Sequence, residues 1–329
     1  MPSLNRLTGL IPFRALALAA LVVGLVTPNP LAASAHPGAT GQLDHSIPSQ
    51  GCGRATDIPL GTSVTRTIQS EGITRSYEMH VPATYRSTTR IPLIVAFHGR
   101  KGTGAELEAF SGLSELKAIV LYPNGLAVDG KTAWEGAPYS PASDDVRFVS
   151  SILDEVQAEL CVDPAKIFAT GKSNGGGFTS LLACRLPHRI AAFAAVAGAF
   201  YTESEVGCDN AAAVPMLEFH GTADTVISYQ GGSSNGGTYP AIATWVNRWA
   251  DVGHCQKMVR ERMEPDVTIQ SWLNCSGPVN VTHYAIDGAN HTWPGATLPS
   301  GPGGVTQTIS ATAIMWDFFR AHPLHPRAG

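Results

Sequence analysis

Short apolar segments recur along the chain, and each one ends at a glycine or a turn. They consist mainly of Ile, Leu, Val, Ala and Phe and show no regular alternation with polar residues. Uninterrupted apolar runs of this length are typical of strands that are buried on both faces of a parallel sheet. The pattern predicts such strands at residues 91–99, 118–125, 166–171, 190–198, 215–221 and 281–288.

A different periodicity lies between these runs. In residues 143–160 apolar side chains recur every three or four positions, which predicts an amphipathic helix with Ser143 or Asp144 as its N-cap. Strands that alternate with helices predict an α/β fold with a mostly parallel central sheet and flanking helices. The segments "SVTRTIQS" and "RSYEMHVP" alternate polar and apolar residues, so we expect an antiparallel hairpin at the edge of this sheet. Since we find no repeat and no linker, we expect a single domain.

The N-terminal residues have the layout of a secretory signal peptide. Two arginines precede an apolar run at 15–26, and the small residues Ala33 and Ala35 follow. The run is too short for a membrane anchor, which needs about 20 apolar residues. We therefore expect a signal peptide at residues 1–35, a folded domain at 36–329 and secretion. The net charge of −4, without a basic cluster, argues against nucleic acid or a membrane as a partner, and we expect a monomer.

Six cysteines agree with export, because an even number of cysteines in a secreted chain predicts disulfides. Two of them bracket one short segment and are expected to pair, whereas the other four could combine in several ways. The favoured pairs are Cys255–Cys275, Cys184–Cys208 and Cys52–Cys161. The sequence has no CxxC or HExxH motif, so we expect no metal site. It also contains sequons at Asn274, Asn280 and Asn290, which a eukaryotic host could N-glycosylate.

The segment "FATGKSNGGGFTS" contains three consecutive glycines where a helix should begin. Glycine costs a helix about 1 kcal/mol relative to alanine, so something other than helix stability must require it. The segment contains G-x-S-x-G, with Ser173 between a predicted strand and a helical pattern, which is the context of a nucleophile elbow. Such a turn leaves no room for side chains on either side of the serine, and Gly171, Gly175 and Gly176 occupy those places. We expect Gly177 to let the helix pack closely. Ser173 is therefore the candidate nucleophile.

A serine nucleophile needs a base, and the base needs an orienting acid. In this architecture the acid and then the histidine follow the serine along the chain. Asp224 comes just after a predicted strand, and His291 just after the last one. Both therefore lie at carboxyl ends of strands, where open α/β sheets place their sites.

Other aspartates and histidines compete for these roles. Asp287 is too near His291 in sequence to orient it easily, and Asp251 resembles a helix-surface residue. His98 and His220 also follow strands, and we expect them to pack and hydrogen-bond beneath the site.

An oxyanion hole in such a site is built from two backbone N–H groups. We expect one from Asn174, directly after the nucleophile. The other should come from the loop after "AFHG", with Arg100 favoured over Gly99 and Lys101.

Several motifs together resemble the secreted feruloyl esterases of carbohydrate esterase family 1, which are related to acetylxylan esterases and polyhydroxybutyrate depolymerases. The resemblance runs from about Cys52 to about His322 and implies an α/β-hydrolase fold, no cofactor and a triad of Ser173, Asp224 and His291. The motifs are "CVDPAKIFATGKSNGGGFTSLLACRL", "HGTADTVISY", "NHTWPG", "FHGRKGTGAEL" and "TAWEGAPYSPASDDVRFV".

The resemblance also implies a substrate, the feruloyl esters of plant cell-wall polysaccharide such as feruloylated arabinoxylan. Trp293 and Trp134 are candidates to line a pocket for the flat acyl group, and core packing is the alternative for both. Asp144 and Asp145 could contact substrate, but helix capping explains them equally well. Acetylxylan, polyester or lipid substrates remain alternatives; the polar, glycine-rich segment 229–240 is unlike the apolar lid of a lipase.

Overall fold

The predicted apolar runs lie side by side at the centre of one large sheet. The computed structural model describes residues 47–324, and the predicted signal peptide lies outside them. The strands are β1 (Ser63–Ser70), β2 (Ile73–His80), β3 (Ile91–Phe97), β4 (Ile119–Pro123), β5 (Leu126–Val128), β6 (Lys131–Ala133), β7 (Val162–Lys172), β8 (Ala192–Val196), β9 (Met216–Gly221), β10 (Gly232–Ser234), β11 (Gly237–Tyr239), β12 (Lys257–Met263), β13 (Val267–Leu273) and β14 (Val281–Ile286).

The large sheet has ten strands in the order β1-β2-β4-β3-β7-β8-β9-β14-β13-β12. Its central strands, from β4 to β14 in that order, are all parallel, and they coincide with the predicted apolar runs. The predicted hairpin is β1–β2, and it lies at one edge. The predicted fold class, α/β with a mostly parallel central sheet, is therefore confirmed.

Helices cover this sheet, and they are α1 (Gly104–Ser111), α2 (Asp145–Glu159), α3 (Asn174–Arg185), α4 (Ile242–Val252) and α5 (Ala311–Ala321). Helix α2 is the helix predicted from its periodicity, and the Asp144 side chain caps it by accepting a hydrogen bond from Arg147 N at 2.8 Å. The neighbouring Asp145 is fully buried and pairs with Arg75 at 2.8 Å. Capping and this buried ion pair explain both aspartates without a role in substrate binding.

Three disulfides connect these elements, and they are the three favoured pairs: Cys52–Cys161, Cys184–Cys208 and Cys255–Cys275. The first ties the segment before β1 to the start of β7. The second fastens the end of α3, the helix that follows Ser173, to the chain beyond it. The third closes the base of the β12–β13 hairpin. Within the described part of the chain, no helix has both the length and the apolar character needed to cross a bilayer.

Candidate active site

Ser173 occupies a strained turn between β7 and α3. Its backbone has φ 57° and ψ −122°, a region that residues with a side chain rarely adopt. From Ile167 to Ala183 every residue is buried except Ser173, which is half-buried. The turn therefore lifts one side chain out of an otherwise buried segment. Backbone strain of this kind is stored at functional sites because the surrounding structure holds it in place.

The glycines around Ser173 are required by close backbone packing. A Cβ atom at Gly171 would lie closer than 3.0 Å to Gly175 O, and one at Gly177 would lie equally close to Ala199 O. A Cβ at Gly175 would meet the carbonyl oxygens of Phe97 and His98. The segment after β3 is thus pressed against the start of α3. Gly171, Gly175 and Gly177 permit this turn, and the two that lie in α3 lower its helix propensity.

His291 and Asp224 meet at the carboxyl ends of β14 and β9. His291 Nδ1 lies 2.7 Å from Asp224 Oδ2, in hydrogen-bond contact. The other carboxylate oxygen, Oδ1, accepts hydrogen bonds from Val226 N and Ile227 N, both at 2.8 Å. The carboxylate is therefore fixed on both oxygens, and the ring of His291 is oriented by one of them.

The competing residues are engaged elsewhere. Asp287 forms an ion pair with Arg262, and Asp251 is exposed on α4. His98 accepts a hydrogen bond from Gly125 N at 3.0 Å through Nε2, so it packs beneath the loops as expected. His220 is buried, and its Nε2 lies 2.9 Å from Ile227 O and 3.3 Å from Asp224 Oδ2.

Asn290 joins the two loops that carry the acid and the base, a role that sequence reasoning missed. Its Oδ1 accepts hydrogen bonds from His291 N at 2.8 Å and from Thr225 N at 3.0 Å. Asn290 thus holds the backbone of Thr225, the residue after Asp224, close to the backbone of His291. Its position directly before the candidate base in "GANHTWPG" was the available signal.

Burial and nearby positive charge keep the ring of His291 neutral. Burial and the positive charge of Lys172 lower the pKa of His291 to about 4, although Asp224 opposes the shift. Lys172 directly precedes Ser173 and is itself buried; burial lowers its pKa to about 8, against the attraction of Asp224. Burial alone would raise the pKa of Asp224, but contacts with His220 and His291 outweigh burial and hold that pKa well below its usual range. A neutral imidazole beside an ionised carboxylate is the state that a general base requires.

The candidate oxyanion donors lie on the segment after β3 and at the start of α3. A Cβ at Gly99 would be 3.2 Å from Ser173 Cβ, so this loop runs directly beside the serine. Lys101 N already donates to Thr132 O at 2.8 Å, which removes one of the three donors considered. Asn174 follows Ser173 at the first position of α3, and its side chain is fixed by Trp134 N at 2.7 Å. Arg100 and Asn174 stay the expected donors, with Gly99 as the alternative to Arg100.

The two tryptophans are buried in the core. Trp134 has no exposed area; its Nε1 donates to His98 O at 2.9 Å and its ring stacks on Phe178. Trp293 is 1% exposed, and its Nε1 donates to Thr312 Oγ1 at 3.0 Å. Neither ring offers surface to a ligand in this structure, so both fit the core-packing alternative and support the site from behind.

Three tyrosines pack together beside the site, and sequence reasoning missed them; Tyr201 and Tyr239 are buried, and only Tyr139 is half-buried. Tyr139, Tyr201 and Tyr239, here called the tyrosine cluster, pack edge to face with ring centroids 5.8 Å and 5.5 Å apart. They share a hydrophobic cluster with Ala199, whose N–H donates to Ser173 O, and with Ile227, whose N–H donates to Asp224. The cluster is therefore built against both candidate catalytic loops.

Arg100 covers the outer ring of this cluster. Its guanidinium carbon lies 4.0 Å from the ring centre of half-buried Tyr139, and its Nη1 donates to Asn235 Oδ1 at 2.6 Å. Asn235 is at the tip of the β10–β11 hairpin, within the segment read from sequence as a loop. The hairpin tip is thus linked to Arg100, which follows the Gly99 backbone that runs beside Ser173.

Comparisons with known proteins find similarity to esterases. No protein-family model matches the chain. The chain is 29% identical to feruloyl esterase B of Piromyces equi over 223 residues, which is 64% of this chain and 41% of that protein. It is 28% identical to feruloyl esterase C of Emericella nidulans over 286 residues, 84% of this chain and 93% of that one. The solved acetyl xylan esterase from Aspergillus awamori superposes with a TM-score of 0.56 at 14% identity, over 78% of this chain and 99% of that chain. The last similarity shows that the fold is of the α/β-hydrolase type.

Proposed function

We propose that this protein is a serine ester hydrolase in which Ser173 is the nucleophile, His291 the general base and Asp224 the orienting acid. The observation that carries the proposal is Ser173 itself, a half-buried residue at φ 57° within an otherwise buried segment. Its strand-turn-helix context, and the His291–Asp224 hydrogen bond at the same edge of the sheet, supply the other parts of a triad.

The chemistry follows from these positions. His291 Nδ1 is occupied by Asp224, so Nε2 is the nitrogen that removes the proton from Ser173 Oγ as Oγ attacks the ester carbonyl. The backbone N–H groups of Asn174 and Arg100, helped by the N-terminus of α3, stabilise the negative oxygen that develops. The same proton passes to the departing alcohol, and water, deprotonated by His291, then releases the acid from Ser173.

The proposed substrates are feruloyl and related hydroxycinnamoyl esters of plant cell-wall polysaccharide. The two relatives described above are named feruloyl esterases, and the half-buried stacked pair of Tyr139 and Arg100 lies beside the site, where it can pack against a phenylpropenoyl group. Acetylated xylan is the second candidate, because the similar solved structure is an acetyl xylan esterase. Secretion, directed by residues 1–35, is also part of the proposal, since three disulfides favour an oxidising compartment.

A panel of esters tests the substrate. We expect the purified protein to hydrolyse methyl ferulate with a higher kcat/KM than acetylated xylan or a short polyhydroxybutyrate. Tyr139→Ala should raise KM for methyl ferulate by about tenfold, since losing a ring contact removes about 1–2 kcal/mol, and should change KM for a short acetyl ester little. Tyr139→Phe is the matched control, because it keeps the ring and should keep the preference. Faster cleavage of acetylated xylan than of methyl ferulate would assign the enzyme to acetyl esters instead.

Hydrolysis should persist at acid pH. The base works only when neutral, and its pKa is lowered to about 4, so activity should be complete at pH values where an ordinary histidine is protonated and should fall as the pH drops through that lowered pKa. The acid limb of kcat/KM for methyl ferulate measures this, with circular dichroism at each pH to confirm that the protein is folded. An acid limb near the ordinary histidine value of about 6.5 would contradict the expectation.

A further inference from the structure

A chain of buried ionisable side chains continues beyond Asp224, away from His291. We call it the buried array; it consists of Asp224, His220, Glu218, His283 and Tyr229. His220 Nδ1 lies 2.9 Å from Glu218 Oε1, and His283 Nδ1 lies 2.6 Å from Glu218 Oε2. The hydroxyl of Tyr229 lies 2.9 Å from His283 Nε2 and ends the chain. The ester-cleaving steps described above use only Asp224 of these groups.

The contacts of His220 favour a doubly protonated ring. His220 Nε2 lies 2.9 Å from Ile227 O, a carbonyl oxygen that can only accept, so Nε2 carries a proton. Its Nδ1 faces a carboxylate oxygen of Glu218, which is itself fully buried and contacted by a second histidine. Burial would lower the pKa of His220, but the charge of Glu218 and the contact with Asp224 outweigh burial and raise it. With both carboxylates ionised, both ring nitrogens of His220 donate, and these contacts favour an imidazolium between Glu218 and Asp224.

The imidazolium bears directly on the triad. His220 Nε2 also lies 3.3 Å from Asp224 Oδ2, the same oxygen that meets His291 Nδ1 at 2.7 Å. The other oxygen, Oδ1, is held by the backbone N–H groups of Val226 and Ile227. His220 is thus a second donor side chain at the carboxylate oxygen that orients His291.

We propose that His220 is a positioning residue of the esterase, held as a cation by Glu218, and that it orients Asp224 and thereby tunes the basicity of His291. The inference rests on the proposed triad. Because Glu218 and His220 are two residues apart on β9, their side chains share one face of the strand and reach the same buried layer as Asp224. A buried carboxylate and a buried imidazolium each require a partner, so neither can be removed without affecting the other.

The sign of the effect on His291 follows from the charges that face it. Lys172 from β7 and His220 from β9 are positive, and Asp224 is negative; Glu218, His283 and Tyr229 stand behind His220. Without the His220 cation, the negative charge of Asp224 is less compensated. Protonated His291 is then more favourable, so the pKa of His291 rises. The acid limb of the activity profile should then move to higher pH, because the base must be neutral.

His220→Gln is the primary test, since glutamine keeps a donor in place of the ring but carries no charge. We expect kcat for methyl ferulate to fall by about tenfold with little change in KM, as for a slightly misplaced catalytic group. The acid limb of kcat/KM should move up by about one pH unit. Glu218→Gln should move the limb in the same direction, because it removes the anion that keeps His220 protonated. His80→Gln is the matched control: His80 is buried on β2, several strands away, and its replacement should leave rate and pH profile unchanged.

The outcomes separate this inference from the proposed triad. If Ser173→Ala is inactive but His220→Gln keeps the wild-type rate and limb, the triad stands and the role of His220 is refuted. A rate loss that is equal at every pH, with the limb in place, also overturns the inference, because it reports a structural role alone. An NMR titration of the wild-type protein with labelled histidine needs no variant: the His220 ring should carry both protons at pH values where free histidine is neutral, and a singly protonated ring there would sink the proposal.

Discussion

Ser173→Ala should abolish ester hydrolysis while leaving the fold intact. The change removes the one hydroxyl that the elbow presents at the carboxyl end of β7, and in other serine triads such losses reach about 10⁴-fold or more. Alanine and serine have similar backbone preferences, so the turn at φ 57° is no more strained in the variant. The measurements are kcat/KM for methyl ferulate and the thermal unfolding midpoint, which should match the wild type.

The controls for this prediction come from the same helix and the same triad. Ser180→Ala removes a buried hydroxyl further along α3 and should keep full activity. His291→Ala should be nearly as inactive as Ser173→Ala, and the double variant should be no worse than either, because residues that act as a unit lose activity non-additively. If a folded Ser173→Ala protein retained most of its activity, Ser173 would not be the nucleophile, and the motif would be only a structural turn.

The centre of the fold could be predicted from sequence because its strands are uniformly apolar. A segment such as 190–198 has no polar residue to place on a solvent face, so it must be buried on both sides. The β12–β13 hairpin escaped prediction because β12, "KMVRERM", is mostly exposed at the edge of the sheet and carries four charged residues. The β10–β11 hairpin escaped because each of its strands has only three residues, in a segment rich in glycine and serine.

Motif order located the candidate triad, but proximity in sequence misled the choice of pocket residues. Trp293 is two residues from His291, yet its ring turns into the core and bonds Thr312. Position along the chain does not specify which way a side chain points. For Trp293, packing against α5 determines that the ring faces the core. The buried array did leave a signal: in "LEFHG" a glutamate and a histidine two residues apart lie on one face of an otherwise apolar strand. Ionisable residues at such positions must find partners, and in the fold His283 contacts Glu218 and Asp224 contacts His220.

Gly175→Ala should destabilise the protein and disable the site together. A new Cβ atom would lie closer than 3.0 Å to the carbonyl oxygens of Phe97 and His98, which belong to backbone and cannot rotate away. Alanine favours the helix by about 1 kcal/mol, but relief of the clash requires α3 and the segment after β3 to separate. The net loss in the free energy of unfolding should be about 3 kcal/mol. Because that segment carries the expected oxyanion donor Arg100, kcat should also fall by about 100-fold in the molecules that remain folded.

Gly304→Ala supplies the matched control for that prediction. A Cβ at Gly304 meets nothing within 4 Å, so alanine there should change stability by no more than about 0.5 kcal/mol and should leave kcat unchanged. Urea unfolding of the two variants and of the wild type measures the difference directly. If Gly175→Ala proved as stable and as active as Gly304→Ala, the start of α3 would not be pressed against the segment after β3. Gly175 would then have no steric reason, and the close packing that places the oxyanion donors beside Ser173 would have to be abandoned.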